Sequence, residues 1–149
     1  MKLSTTHMLR AASAACLALA TVPALSADMP SAEAVVQSQL EAYNARNMDA
    51  FLANYADDAE IFNFPATSAT KGKEEIRKRY TVRFADPTLH AVIVKRIVLG
   101  NIVIDHERVQ LKFPEGDGVL ELGVIYEVRD GKIIRVTATP ARRGVGEKL

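Results

Sequence analysis

Residues 102–129 read IVIDHERVQLKFPEGDGVLELGVIYEVR, two stretches of period-two alternation on either side of Pro114-Glu115-Gly116-Asp117-Gly118. Successive side chains of a strand point to opposite faces, so each stretch divides into an apolar row and a mixed one. In residues 119–129 the apolar row is even: Leu120, Leu122, Val124, Tyr126 and Val128. In residues 102–113 it is odd, with Val103, Val109, Leu111 and Phe113, and Asp105 and Glu107 share it. Two carboxylates therefore face the inside of an otherwise apolar hairpin. Pairing about residues 115–118 sets Glu107 opposite Tyr126, Val109 opposite Val124 and Leu111 opposite Leu122, which keeps both apolar rows on one face.

The alternation continues on both sides. Residues 89–99 join through Gly100-Asn101, a pairing that sets Arg96 across from Asp105 and Val94 across from Glu107. Residues 132–139 follow Asp130-Gly131. A strict two-residue turn there would set Arg135 against Tyr126, whereas a bulge at Gly131 brings Ile134, Val136 and Ala138 onto the apolar face; burial of that aliphatic row favours the bulge. Four strands in series make an antiparallel meander.

Before the meander the period is helical. Ser31 is a fitting N-cap for a helix carrying Val36, Leu40 and Tyr43 on one face, and Asn47 caps a short second helix with Phe51, Leu52 and Tyr55. Residues 59–64 read as a short strand stopped by Pro65, and a polar loop runs to Gly72. A third helix carries Ile76, Tyr80 and Phe84 until Pro87 ends it. Helices first and a meander after them predict an α+β fold in which three N-terminal helices pack on a curved antiparallel sheet. That domain is expected over residues 28–140, with 141–149 a flexible, solvated tail.

The full chain has 149 residues, 48% of them hydrophobic and 25% charged, with a formal charge of +1 and a single cysteine, Cys16. This is the composition of one globular domain and excludes disorder, collagen and a disulfide scaffold. Lys2 and Arg10 precede an apolar run over residues 11–22, and Leu25-Ser26-Ala27 supplies small residues beyond it. The run has the length of a signal-peptide core and falls short of the ~20 apolar residues of a membrane span. Residues 1–27 are read as a secretory leader, directing the protein to the periplasm or outside the cell. Its removal leaves 122 residues at a net charge of −1 and no cysteine, which excludes thiol chemistry and zinc-cysteine sites.

Other chemistries lack their residues. His106 points away from Asp105 and Glu107 because neighbours on a strand alternate, so the triplet cannot hold one metal ion. None of the serines sits in a G-x-S-x-G turn, no phosphate-cradling or dinucleotide glycine motif is present, and Arg142-Arg143 without stacking aromatics does not make a nucleic-acid surface. No cofactor is called for. What remains is the inner acids. An Arg such as Arg96 or an inward Arg83 could hold either of them in a structural pair, whereas Glu107, set among Val94, Val109 and Tyr126, has the surroundings of a general acid or base.

Residues 55–59 (YADDA), 72–77 (GKEEIR), 43–47 (YNARN) and 123–132 (GVIYEVRDGK), together with the meander, resemble the nuclear transport factor 2-like superfamily and, within it, the SnoaL-like and ketosteroid-isomerase-like proteins. The resemblance covers about residues 34–138. It implies a cone, helices over a curved sheet with a pocket between them, and a homodimer formed through the outer sheet face. Where the resembled isomerases place a helix-one tyrosine, a base aspartate and an oxyanion-hole aspartic acid, this chain has Gln39, Asn63 and Val124; Tyr80 matches their helix-three tyrosine. The expected site thus has Glu107, Asp105 and Tyr80 as candidate catalytic groups. Gln39, Tyr43, Asn63, Val124 and Tyr126 would contact a small apolar or amphipathic molecule. The open alternatives are acid–base chemistry unlike that of the isomerases, or a non-catalytic module whose inner acids are salt-bridged.

Overall fold

The computed structural model describes residues 29–149; the expected leader lies outside the described residues. Three helices precede most of the sheet: α1 (Ala32–Asn44), α2 (Met48–Ala53) and α3 (Lys73–Phe84). Ser31 Oγ accepts from the Ala34 N–H at 3.1 Å and Asn47 Oδ1 from the Ala50 N–H at 3.1 Å, so both expected caps begin their helices. α1 buries Val35, Val36, Gln39, Ala42 and Tyr43. Tyr43, Phe51, Tyr55, Tyr80 and Phe84 form an aromatic cluster with centroids 4.6–6.1 Å apart, tying the helices to one another and to β1.

The strands are β1 (Tyr55–Asn63), β2 (Thr67–Lys71), β3 (His90–Leu99), β4 (Ile102–Phe113), β5 (Gly116–Arg129), β6 (Lys132–Ala138) and β7 (Arg142–Val145). Their order is β2-β1-β6-β5-β4-β3, with β7 on β5. The expected meander is β3 to β6. β1 runs parallel to β6, and every other strand pairing among the described residues is antiparallel. The inner face is the expected one: Val103, Asp105, Glu107 and Val109 on β4 and Val124, Tyr126 and Val128 on β5 are all buried.

Four details differ from the expectation. The β4–β5 turn is tighter, with Phe113 paired to Gly116, whose φ is 134°; Glu107 therefore faces Leu122, and Tyr126 faces Val103. The displacement is by an even number of residues, so no side chain changes face. On β3 a bulge leaves Val94 unpaired and 52% exposed, and Ile93 stands opposite Glu107; the Arg96–Asp105 pairing holds. At Asp130-Gly131 the strict turn does form, with φ of 51° and 69°, and the bulge falls at Ile134, after two further pairs. Ile134 is thereby skipped, Ile133 is buried against Val128, and Val136 meets Tyr126.

The fourth concerns two stretches read as irregular. Residues 67–71 pair with β1 as an edge strand. Residues 142–145 are not a free tail but pair with Gly118–Glu121 of β5. This close approach requires glycine: a Cβ on Gly118 would meet Gly144 O at 2.5 Å. Arg142 bonds Glu121 and Glu147, and Arg143 lies 4.3 Å from the Phe113 ring centroid, fastening the strand.

Candidate functional site

Between the helices and the inner sheet face lies a cavity of about 360 Å³, at the lower end of the roughly 300–1,000 Å³ of small-molecule sites. Exposure orders its lining. Glu107, Val109, Val124, Tyr126 and Tyr55 are buried and form its interior, while Asn63, Phe64 and Arg79 are exposed and form its rim. The chain from Thr139 to Ala141, leading into β7, closes another part of the wall.

Glu107 is held in place by β4 and by one hydrogen bond, the Tyr126 hydroxyl donating to its Oε1 at 2.8 Å. Tyr126 reaches it diagonally on the shared face, past the Asp105–Val124 pair. No cation pairs with Glu107 among the described residues. Burial pushes its carboxyl up to about 7; the nearby Asp105 charge adds to the rise, while the Tyr126 hydrogen bond and the more distant Arg96 and Arg83 oppose it. Burial likewise raises the phenols of Tyr43, Tyr55, Tyr80 and Tyr126, so all four tyrosines of the cavity keep their protons at neutral pH.

Asp105 belongs elsewhere. Arg96 Nε donates to its Oδ1 and Arg96 Nη2 to its Oδ2, each at 2.7 Å, a bidentate pair that is almost fully buried. Asp105 does not line the cavity, so its candidacy as an acid–base group is corrected to a structural one. The reason is the β3–β4 register, which sets Arg96 directly across from it. His106 is on the opposite face, where Nε2 lies 2.7 Å from Glu121.

The remaining expected residues converge. Gln39, Tyr43, Asn63, Tyr80, Glu107, Val124 and Tyr126 all line the one cavity. Gln39 Nε2 donates to Tyr55 OH at 3.1 Å, a buried pair that joins α1 to β1. Tyr80 is without a hydrogen-bond partner among the described residues. Sequence reasoning missed Tyr55 as a cavity residue. It considered Arg83 only as a partner for the inner acids; instead, Arg83 Nη1 donates to Tyr43 OH at 3.4 Å and bonds no carboxylate among the described residues. The i, i+1, i+4 spacing of Arg79, Tyr80 and Arg83 on α3 is the signal that one helix face carries all three.

Residues 36–136 match the SnoaL-like domain. The chain belongs to this family. No curated protein matches its sequence. Among solved structures, this SnoaL-like domain is similar to an uncharacterized cystatin-fold protein from Novosphingobium aromaticivorans, with 25% identity, TM-score 0.67, and 73% of this chain and 97% of that one covered. It is similar in fold to a computationally designed 17-OHP binder, with 20% identity, TM-score 0.65, and 73% and 91% covered. A protein of ketosteroid isomerase-like fold from Catenulispora acidiphila, in complex with trimethylamine, gives 16% identity, TM-score 0.60, and 70% and 82% covered. The fold of this SnoaL-like domain is thus of the ketosteroid isomerase-like kind.

Proposed function

We propose that this protein is an exported cone-shaped domain that binds a small, largely apolar molecule and carries out acid–base chemistry on it, of an isomerase, cyclase or lyase type. The observation that carries this reading is Glu107: a buried carboxylate with no cation paired to it among the described residues, poised near neutrality, facing a cavity of ligand size lined by aliphatic, aromatic and polar side chains. In its ionised form Glu107 accepts a proton from bound substrate, and the Tyr126 hydroxyl holds it in position. Tyr80 is the proton donor, since Tyr126 already gives its hydrogen to Glu107. Val124 in place of an oxyanion-hole acid removes the enolate stabilisation that the resembled isomerases use. That two fold neighbours are a 17-OHP binder and a trimethylamine complex supports the binding half of the reading.

The test is a fluorescence titration with N-phenyl-1-naphthylamine, alongside mass spectrometry of small molecules extracted from the purified protein. Saturable binding that is lost in Ala138→Phe, which fills the half-buried wall, supports the reading. Unchanged affinity in that variant would place the bound molecule outside the cavity and refute it. For catalysis, Glu107→Gln abolishes turnover of any substrate so identified while leaving its affinity within a few-fold.

Two further parts of the proposal concern the cell. Residues 1–27 are a secretory leader, checked by the mass of the mature chain recovered from the periplasm or medium. The outer side of the sheet forms a homodimer; exposed Ile97 and Leu99 on edge strand β3 supply apolar surface for it. Sedimentation of the wild type as a monomer at micromolar concentration would refute that part.

A further inference from the structure

The polar groups of the cavity are nearly all spoken for. Gln39 is bonded to Tyr55, Tyr126 to Glu107, and Thr139 Oγ1 accepts from the Gly123 N–H and donates to Pro140 O. The exceptions are Asn63, exposed at the rim on β1, and a group of residues on α3. Arg83 is half-buried in the cavity wall, and its only hydrogen bond among the described residues is the 3.4 Å contact to the neutral Tyr43 hydroxyl. A guanidinium has five N–H donors, and one that is withdrawn from water without a carboxylate is costly unless something else bonds it. Tyr80, one turn before Arg83, presents a free hydroxyl to the same space. Arg79 stands at the rim, and its one side-chain hydrogen bond among the described residues goes to Thr70 Oγ1 at 3.4 Å.

The contrast within the molecule is informative. Arg96, the other inward-facing arginine, is met by a bidentate carboxylate. Arg83 has the same planar fork and no such partner from the chain, and it opens onto a cavity.

We propose that the ligand of this site is an amphipathic monoanion, an apolar body bearing one carboxylate or similarly planar anionic group, with that group bound by Arg83 and Tyr80. This rests on the binding reading above and narrows it. The orientation follows from charge. The anionic end sits at Arg83, where Arg79 adds a second cation from the rim, and the body extends along Val109, Leu122 and Val124 toward Glu107. The carbon that loses its proton is therefore at the end of the molecule remote from the carboxylate, because a ligand turned around would set two carboxyl groups against each other.

Calorimetric titration with 2-naphthoate and its neutral isostere 2-naphthamide, at pH 6 where the naphthoate is ionised, tests this. The wild type is expected to bind the naphthoate at least about tenfold more tightly than the amide, the scale of one charge-assisted hydrogen-bonded pair. Arg83→Gln is expected to lose that preference and keep its affinity for the amide, which also shows that the variant is folded. Arg83→Lys, retaining the charge without the fork, is expected to restore part of the preference. Equal binding of the two probes by the wild type, or a preference that survives in Arg83→Gln, overturns the inference and leaves the binding reading standing. If neither probe binds, the binding reading falls and this one with it.

Discussion

Replacement of Glu107 by Gln keeps the size of the side chain and an oxygen able to accept from Tyr126, and removes only the ability to ionise. In the folded protein burial pushes the carboxyl up to about 7, against 4.5 for an unburied one. Between those values the native state holds a proton that the unfolded chain has released, so the contribution of this group to stability is greatest at low pH and falls as pH rises through this window. Integrated from pH 5 to pH 8, that difference costs the wild type about 2.5 kcal/mol, and Glu107→Gln escapes it. Urea unfolding of both proteins at the two pH values, taken as the difference between variant and wild type, cancels the contribution of every other group. The variant should gain about 2.5 kcal/mol relative to wild type on going from pH 5 to pH 8. A difference that stays flat, or moves the other way, would mean that a cation holds the carboxylate ionised, and the acid–base role would go with it.

Other outcomes follow from the same contacts. Asp105→Ala leaves Arg96 without its bidentate partner inside the fold and should destabilise by about 3–5 kcal/mol in urea unfolding. Tyr126→Phe removes the hydrogen bond that favours the Glu107 carboxylate, so carbon-13 NMR of that carboxyl should show its titration moving upward from the wild-type position; a downward move would contradict the described site. Gly118→Ala drives a methyl group into Gly144 O and should release β7, seen as loss of hydrogen-exchange protection at residues 142–145 together with a stability loss of about 1–3 kcal/mol.

How much of this was legible in the sequence depended on what fixes each element. Arg96 against Asp105 could be read because Gly100-Asn101 is a two-residue turn and the strands leave it regularly; the bulge at Val94 lies farther out and has no residue signature. The face of Glu107 could be read even though its partner could not, since parity survives an even change of register whereas pairing does not. Residues 67–71, Thr-Ser-Ala-Thr-Lys, form an edge strand with little apolar surface on either side, so no alternation announces it. β7 is called into place by what Gly118 leaves room for on a distant strand, and its own sequence looks like a solvated end. Arg83 sits on a helix whose exposed residues are mostly charged, and periodicity alone does not reveal which charge faces inward.

The cavity has one more consequence. The chain has no tryptophan and four tyrosines, and Tyr43, Tyr55, Tyr80 and Tyr126 all line that single space. The protein's intrinsic ultraviolet emission and its near-ultraviolet circular dichroism in the tyrosine band therefore originate entirely from the walls of its own cavity. A molecule entering it changes the surroundings of every reporting chromophore at once, and none is left elsewhere to dilute the signal. The domain carries a built-in optical readout of occupancy, suited to screening unlabelled compounds against the unmodified chain.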